Sequence, residues 1–332
     1  MKSICQPNSS RFLSNAGGVN AEEGSQNCHT PVLLRAAIAG LNVQPDACYM
    51  DGTFGRGGHS SEILKRLHSG GRLIAIDRDP AAVAAVNPAL KRDPRFEIVK
   101  DEIANIRQVA AERNLLGKLA GLLLDLGVSS PQLDDPERGF SFRGDGLLDM
   151  RMDPTIGVSA SDWLATVDEK ELKRVLLRFG EERFAGRIAK AIVSARAEKP
   201  VRRTRELADI IAAAVPARGP GKHPATKTFQ AIRIHLNDEL RQLEQALDAS
   251  IELLAPGGRL CVIAFHSLED RRVKRFMRNA AREPEAYRGL PVIPEDQRPP
   301  FRLVGKARIA NEEEVLANPR ARSARLRIAE RV

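Results

Sequence analysis

An acid, a run of glycines and a second acid are the residues best spaced to do chemistry. Asp51-Gly-Thr-Phe-Gly-Arg-Gly-Gly-His59 follows a short apolar run, Ala47-Cys-Tyr-Met-Asp51. That order predicts a buried strand entering a loop where the backbone turns sharply and comes close to a ligand. Asp77 closes the next apolar run, Arg72-Leu-Ile-Ala-Ile-Asp77. An acid at that place suits hydrogen bonding to a ribose diol. A nicotinamide loop reads G-x-G-x-x-G and wraps a pyrophosphate. Here the glycines fall at 52, 55, 57 and 58, with an acid before them. That acid would repel a pyrophosphate and suits the cationic ammonium of a methionine moiety. The residues therefore favour S-adenosylmethionine over NAD, with a plain glycine turn as the bland alternative. His59 opens the next helix, where a neutral imidazole either faces the cofactor or caps the helix.

Other reactive side chains are sparse. Cys5, Cys28, Cys48 and Cys261 show no C-x-x-C pairing, which disfavours a zinc site and a disulfide framework. Isolated thiols of this kind suit a reducing cytoplasm. No compact carboxylate or His/Cys cluster demands a metal, so none is expected. Asp125 ends an apolar run, Leu119-Ala-Gly-Leu-Leu-Leu-Asp125, and Ser129 lies just beyond it. His266 and Ser267 end another, Arg259-Leu-Cys-Val-Ile-Ala-Phe265. Asp125, Ser129 and His266 are the candidate catalytic acceptors. For His266 the competing role is to cap a helix or order a loop.

The elements that must position these residues follow from periodicity. Strands are expected at 47–51, 72–77, 96–99, 119–125 and 259–265. Their lack of polar alternation, with helices between them, indicates a parallel sheet covered on both faces. Helices are expected from a Thr30 cap with Pro31 at the first position to about Gly40, then from His59 to Leu67, Pro80 to Leu90, and 103–114. After Asp125 the pattern changes. Residues 127–158 read as loop, and helices without strands follow. Asp168 and Glu171 are spaced as a cap and N3 ahead of Leu172, Val175, Leu176 and Phe179. Leu207, Ile210, Ile211 and Ala214 repeat the stripe. Arg218-Gly-Pro-Gly-Lys-His-Pro224 is a breaker. One long stripe then runs from Phe229 to Leu254 and stops at Pro256-Gly-Gly258. A basic helix is expected to about Ala281. Phe301–Val304 and Ser323–Glu330 are spaced to pair as a terminal hairpin. The fold class is therefore α/β and Rossmann-like, interrupted by an all-helical insertion at roughly residues 134–225.

Composition sets the outer limits. Of 332 residues 42% are hydrophobic and 29% charged, as in a globular chain, and no apolar run reaches the length of a membrane span. Residues 1–26 have no continuous apolar core, and Glu22 and Glu23 argue against a transit peptide. That stretch reads as a disordered tail. Lys and Arg outnumber Asp and Glu by 52 to 43, which suits a polyanionic partner. Arg271, Arg272, Lys274, Arg275 and Arg278 crowd one helix, and Arg320, Arg322, Arg325 and Arg327 crowd the tail. Either set alone is more often a solvated face. Arg138, Arg143 and Arg151 are interleaved with Phe140 and Phe142 beside the presumed site. Arginines neutralise phosphates and aromatics stack on an extruded base, so this loop is the stronger candidate for nucleic acid.

Longer strings carry a family resemblance. They are His29-Thr-Pro-Val-Leu-Leu34, the glycine loop through Ser60, Leu124-Asp-Leu-Gly-Val-Ser-Ser-Pro-Gln-Leu-Asp-Asp135, Arg138-Gly-Phe-Ser-Phe142 and Leu148-Asp-Met-Arg-Met-Asp-Pro154. Gly180-Glu-Glu-Arg-Phe184, His223-Pro-Ala-Thr-Lys-Thr-Phe-Gln-Ala-Ile-Arg233, Phe265-His-Ser-Leu-Glu-Asp-Arg271 and Asn318-Pro-Arg-Ala-Arg-Ser323 complete the set. Together they resemble the bacterial 16S ribosomal RNA cytosine-N4 methyltransferases from about residue 29 to the C-terminus. The resemblance implies a seven-stranded class I methyltransferase core (29–133 and 226–332), a helical substrate-recognition domain (134–225), and a tail (1–28) outside it. It implies S-adenosylmethionine as cofactor. Gly57, Gly58 and His59 would line its methionine part and Asp77 would hold the ribose. Asp125 and Gln132 would complete the adenosine end, with Ile103 making aliphatic contact where the family often has an aromatic. It further implies a cytoplasmic enzyme acting on 16S rRNA in the small ribosomal subunit, and leaves monomer and homodimer open. Many amino-group methyltransferases place Asp/Asn-Pro-Pro-aromatic after the fourth strand. This chain has Asp125-Leu-Gly-Val-Ser-Ser-Pro131 instead, so the proton acceptor stays open.

Three other functions compete. A nicotinamide oxidoreductase is disfavoured by the acid before the glycines. A non-catalytic RNA-binding protein is disfavoured by the intact Gly57, Gly58, Asp77 and Asp125. A methyltransferase for DNA or a small molecule is separated from the RNA reading only by the resemblance and the basicity.

Overall fold

The computed structural model describes residues 31–216, 223–287 and 293–332. The expected tail, the Thr30 cap and residues 218–222 of the breaker lie outside the described residues. Eight strands form one sheet: β1 (Cys48–Asp51), β2 (Arg72–Asp77), β3 (Phe96–Lys100), β4 (Leu119–Asp125), β5 (Leu254–Ala264), β6 (Phe301–Leu303), β7 (Arg308–Ile309) and β8 (Arg325–Arg331). Their order is β3-β2-β1-β4-β5-β8-β6, with β7 paired to β8 off that path. β1 to β5 run parallel, and β8 is antiparallel to both β5 and β6. This is the Rossmann-like α/β fold expected, with the two-residue β7 as an eighth strand beyond the seven. The terminal pairing of 301–304 with 323–330 is present as β6 on β8.

The unbroken apolar run of β4 has a simple cause. Leu122 and Leu124 pack with Leu243 and Leu247 on one face, and Leu123 packs with Leu41 and Ile63 on the other. A strand sandwiched this way buries its leucines, each contributing roughly 2 kcal/mol. The chain passes from β1 outward to β2 and β3, then returns to β4 on the other side of β1. Ligands of open α/β sheets bind beyond the carboxyl ends of the strands where the order reverses, here between β1 and β4.

Several elements differ from the sequence reading. The first helix spans Leu34–Leu41 and starts from Leu33, in left-handed conformation with φ 53°, so Pro31 precedes it. The Leu33 N–H donates to the carboxylate of Glu314, 281 residues away. The helix expected from Pro80 to Leu90 is two, Pro80–Ala84 and Pro88–Arg92. Pro88 cannot continue the first, and Asn87 caps the second by accepting the Ala89 N–H at 2.8 Å. Residues 103–114 form a 3-10 turn, Ile103–Asn105, and a short helix, Ile106–Ala111. The long stripe is two helices, Thr226–Leu236 and Glu239–Leu253, separated where Asp238 turns left-handed with φ 49°. β5 begins five residues before Arg259, and Gly257 with φ 80° lets Pro256–Gly258 bulge without ending it. The expected Asp168 cap is present: its side chain accepts the Glu171 N–H at 2.8 Å.

A second hydrophobic cluster lies apart from the sheet. It gathers Phe140, Leu148, Leu164, Leu176, Ile192 and Ile211, and it also takes in Phe229 and Ile232.

Candidate functional site

A cavity of about 410 Å³ opens beyond the carboxyl ends of β1, β2 and β4. Asp77, Asp125, Glu239 and Glu269 all line it, against Arg56, Arg78 and Arg320. The glycine loop forms one wall, and Asp51 holds that loop from within. Its carboxylate accepts the Ser60 hydroxyl at 2.7 Å and the Thr53 N–H at 3.1 Å. A Cβ on Gly58 would stand 2.2 Å from Pro31 Cγ, so only glycine lets the 31–32 segment lie across the loop. Gly57 is not among the lining residues. It makes the turn, at φ 73°, and a Cβ there would meet the Phe54 ring at 2.6 Å.

Asp77 accepts two backbone N–H groups, Gly55 at 2.7 Å and Asp79 at 2.9 Å. Burial pushes its carboxyl up to about 6, although both donors pull it down. Asp125 is positioned through its N–H, which donates to Thr53 Oγ1 at 2.6 Å. Burial, and then the charges of Asp51 and Glu269, push its carboxyl well above the usual range. Its Oδ2 lies 3.5 Å from His59 Nδ1. Burial lowers His59 to about 4, so the imidazole is neutral at pH 7 and the contact is polar rather than ionic. Asp125 Oδ1 and His59 Nε2 are both buried without a hydrogen-bond partner. Such orphaned atoms, on two residues lining one cavity, are what a polar ligand would satisfy.

Ile103, Ser129 and Gln132 also line the cavity. Gln132 is already committed: it accepts the Ser129 N–H at 2.9 Å and donates to Asp79 Oδ2 at 2.8 Å. His266 does not line the cavity. It caps the helix Ser267–Ala280, with Nδ1 accepting the Glu269 N–H at 3.4 Å.

Two acids of this wall escaped the sequence reading. Glu269 is buried, accepts the Phe265 N–H at 2.8 Å and lies 3.1 Å from His266 Nε2. Burial raises its carboxyl, but His266 and Arg233 outweigh that and hold it below the usual value. Glu239 pairs with Arg233 through two contacts of 2.8 Å. Glu269 had a faint signal, as N3 of a cap three residues after His266; Glu239 had none. Glu239, His266 and Glu269 bring ligand atoms within 4.8 Å of one another, a compact cluster that the dispersed sequence positions concealed. Both Glu239 oxygens are held by Arg233, and His266 Nδ1 is spent as a cap acceptor. These commitments leave the cluster few lone pairs for a metal.

A larger open groove of about 1720 Å³ adjoins the cavity, with Phe142, Arg143, Phe229, Arg233 and Arg322 among its walls. The interleaved loop is only partly available to a nucleic acid. Arg138 donates to Asp79 Oδ2 at 2.8 Å and to the Met152 carbonyl at 2.8 Å. Arg151 is paired with Asp149 at 2.7 Å, and Phe140 is buried in the second cluster. Arg143 is exposed, and Phe142 packs on His223 and Phe229 at ring distances of 4.5 and 4.9 Å. On the basic helix Arg271 pairs with Glu181 and Arg272 with Glu244, each at 2.9 Å, as on a solvated face.

Comparison with known proteins adds a family. The model described as the MraW methylase family matches residues 26–332. Among solved structures, the chain is similar to a candidate rRNA-methylase from Clostridium thermocellum, at 12% identity and a TM-score of 0.43, over 92% of this chain and 99% of that one. It is similar to an rRNA methylase from Streptococcus thermophilus, at 11% identity and 0.40, over 90% and 95%. A third is the N-methyltransferase NodS from Bradyrhizobium japonicum WM9 in complex with S-adenosyl-L-homocysteine, at 8% identity and 0.39, over 90% and 85%. Likeness at these scores is weak and distinguishes nothing within the fold.

Proposed function

This chain belongs to the MraW methylase family, and on that premise we propose that it methylates the exocyclic N4 amine of a cytidine in 16S ribosomal RNA. The methyl donor is S-adenosylmethionine, and the substrate is the small ribosomal subunit in the cytoplasm. The observation that carries this reading is an acid-walled cavity joined to an arginine- and phenylalanine-lined groove. The four acidic side chains outnumber the three arginines of the same wall, which favours a cationic cofactor over one carrying a pyrophosphate. No helix among the described residues is long and apolar enough to cross a membrane.

Asp77 accepts the ribose hydroxyls, Ile103 covers the adenine, and Gly58 and His59 flank the methionine end. Gln132 orients Asp79 and the Ser129 turn beside them. S-adenosylmethionine supplies a methyl group on a positively charged sulfur. The cytosine amine is a poor nucleophile, because its lone pair is delocalised into the ring. Acceptors that take hydrogen bonds from the amine as it becomes tetrahedral lower the barrier, provided nitrogen, methyl and sulfur are held in line. Asp125 and Ser129 line the cavity and serve as those acceptors. His266 acts through Glu269 instead, by capping the helix that carries it. Residues 134–225 form the substrate-recognition insertion on the core of 29–133 and 226–332. The second hydrophobic cluster supports this division and extends the insertion's packing to Phe229 and Ile232.

Equilibrium titration tests the cofactor: S-adenosylmethionine is expected to bind and NAD to leave the protein unchanged. Tight NAD binding would sink the reading. Labelled methyl groups are expected on small subunits, and label on DNA or on large subunits alone would move the substrate elsewhere.

A further inference from the structure

Among the described residues only Pro31 and Arg320 line both the cavity and the groove. Arg320 is the second residue of the 3-10 turn Pro319–Ser323, and its side chain is about one-third exposed, at 34%. Its guanidinium donates to the Ser130 hydroxyl and, at 2.6 Å, to Asp134 Oδ1. Both partners lie on the short helix Ser130–Asp134, between the cavity and the groove. A base methylated in the cavity must leave its stack and pass this junction. The phosphate attached to that nucleotide then stays at the junction, on the groove side. A guanidinium fork takes phosphate as readily as carboxylate, often through two parallel hydrogen bonds.

We propose that Arg320 binds the backbone phosphate adjoining the target nucleotide, and that Asp134 occupies its fork until RNA arrives. This rests on the RNA-methylating function proposed above. Asp134 is exposed, with a side chain 63% accessible, so exchanging it for a phosphate releases a carboxylate that water already solvates. The groove offers further cations along the same path, Arg143 and Arg322.

The test measures binding of small ribosomal subunits lacking N4-methylcytidine across a range of salt concentrations. Wild type, Arg320→Ala, Arg320→Lys and Asp134→Asn are compared, with S-adenosylmethionine affinity recorded for each as a gauge of the Ser130–Asp134 helix. Losing one phosphate contact lowers the slope of log K against log salt by about one. Arg320→Ala is therefore expected to bind roughly tenfold more weakly with a slope shallower by about one. Arg320→Lys keeps the charge and is expected to retain most of the slope. Asp134→Asn removes the competing negative charge from the fork and is expected to bind at least as tightly as wild type. If Asp134→Asn instead reproduces the loss of Arg320→Ala, both weaken S-adenosylmethionine, and the slopes stay at the wild-type value, Arg320 is only a latch and the proposal is overturned. An Arg320→Ala variant with wild-type affinity and slope also overturns it. Failure of the wild type itself to bind subunits would sink the proposed function.

Discussion

Asp77 and Asp125 end β2 and β4, the two strands that flank β1, and face one cavity. Asp77 is raised to about 6, so it is ionised at pH 7, the form that the proposed contact with ribose hydroxyls requires. As the pH falls below about 6 it protonates and loses that capacity. Affinity for S-adenosylmethionine should then drop by up to roughly tenfold per pH unit, and the drop should vanish in Asp77→Asn. Stability runs the other way. A carboxyl raised on folding favours the folded chain below its ordinary value of 3.8 and loses that contribution as the pH rises through about 6. Thermal melts of the cofactor-free protein check this part, with Asp77→Asn as the reference. Burial, and then the charges of Asp51 and Glu269, raise Asp125 above the usual carboxylate range, and Asp125→Ala is expected to abolish methyl transfer; full activity would remove it from both its proposed roles. These acids were legible because each ends an apolar run. Glu239 and Glu269 were not, because what brings them to the cavity is the packing of two later helices.

At the scale of elements, short-range rules served well where a residue acts on its own neighbours. The Asp168 cap, β2 and β4 stand where the pattern placed them. The reading failed where a distant group decides. Leu33 turns left-handed with Glu314 on its N–H. The hinge at Asn237 is held by Met150 O at 2.8 Å and Met152 N at 2.7 Å, so a helical stripe that looks continuous must break there. Asn237→Ala leaves both buried groups unpaired and should cost about 2–4 kcal/mol in denaturant unfolding. An unchanged midpoint would mean the hinge is fixed by other contacts. Gly57→Ala adds a Cβ at positive φ against Phe54, and should lower stability by roughly 1–3 kcal/mol while weakening the cofactor site beside it.

Across the whole molecule, two hydrophobic clusters meet through polar links rather than through one shared core. Arg78 donates to the Asn237 carbonyl at 2.8 Å, Lys100 pairs with Asp153 at 2.8 Å, and Arg138 reaches Asp79. The interruption of the α/β pattern was visible as a change of period after Asp125. These links were not, since each joins residues tens of positions apart and leaves no local signature. They also explain why Arg138 is a poor candidate for phosphate binding despite its place in an arginine-rich loop. Truncating the second cluster alone, with Ile192→Ala, should cost about 2–5 kcal/mol. At a temperature where that variant is folded, it should weaken methyl transfer to subunits more than it weakens binding of S-adenosylmethionine. Equal loss of both would argue that the insertion serves the cofactor rather than the substrate.

The central claim is a methyl group placed on the N4 amine of cytidine. The most direct measurement incubates the protein with labelled S-adenosylmethionine and small subunits from cells lacking the modification, digests the 16S RNA to nucleosides, and separates them. Label is expected in N4-methylcytidine, and none with Asp125→Ala. Label in a ring-methylated cytidine, or in another nucleoside, would contradict the claim.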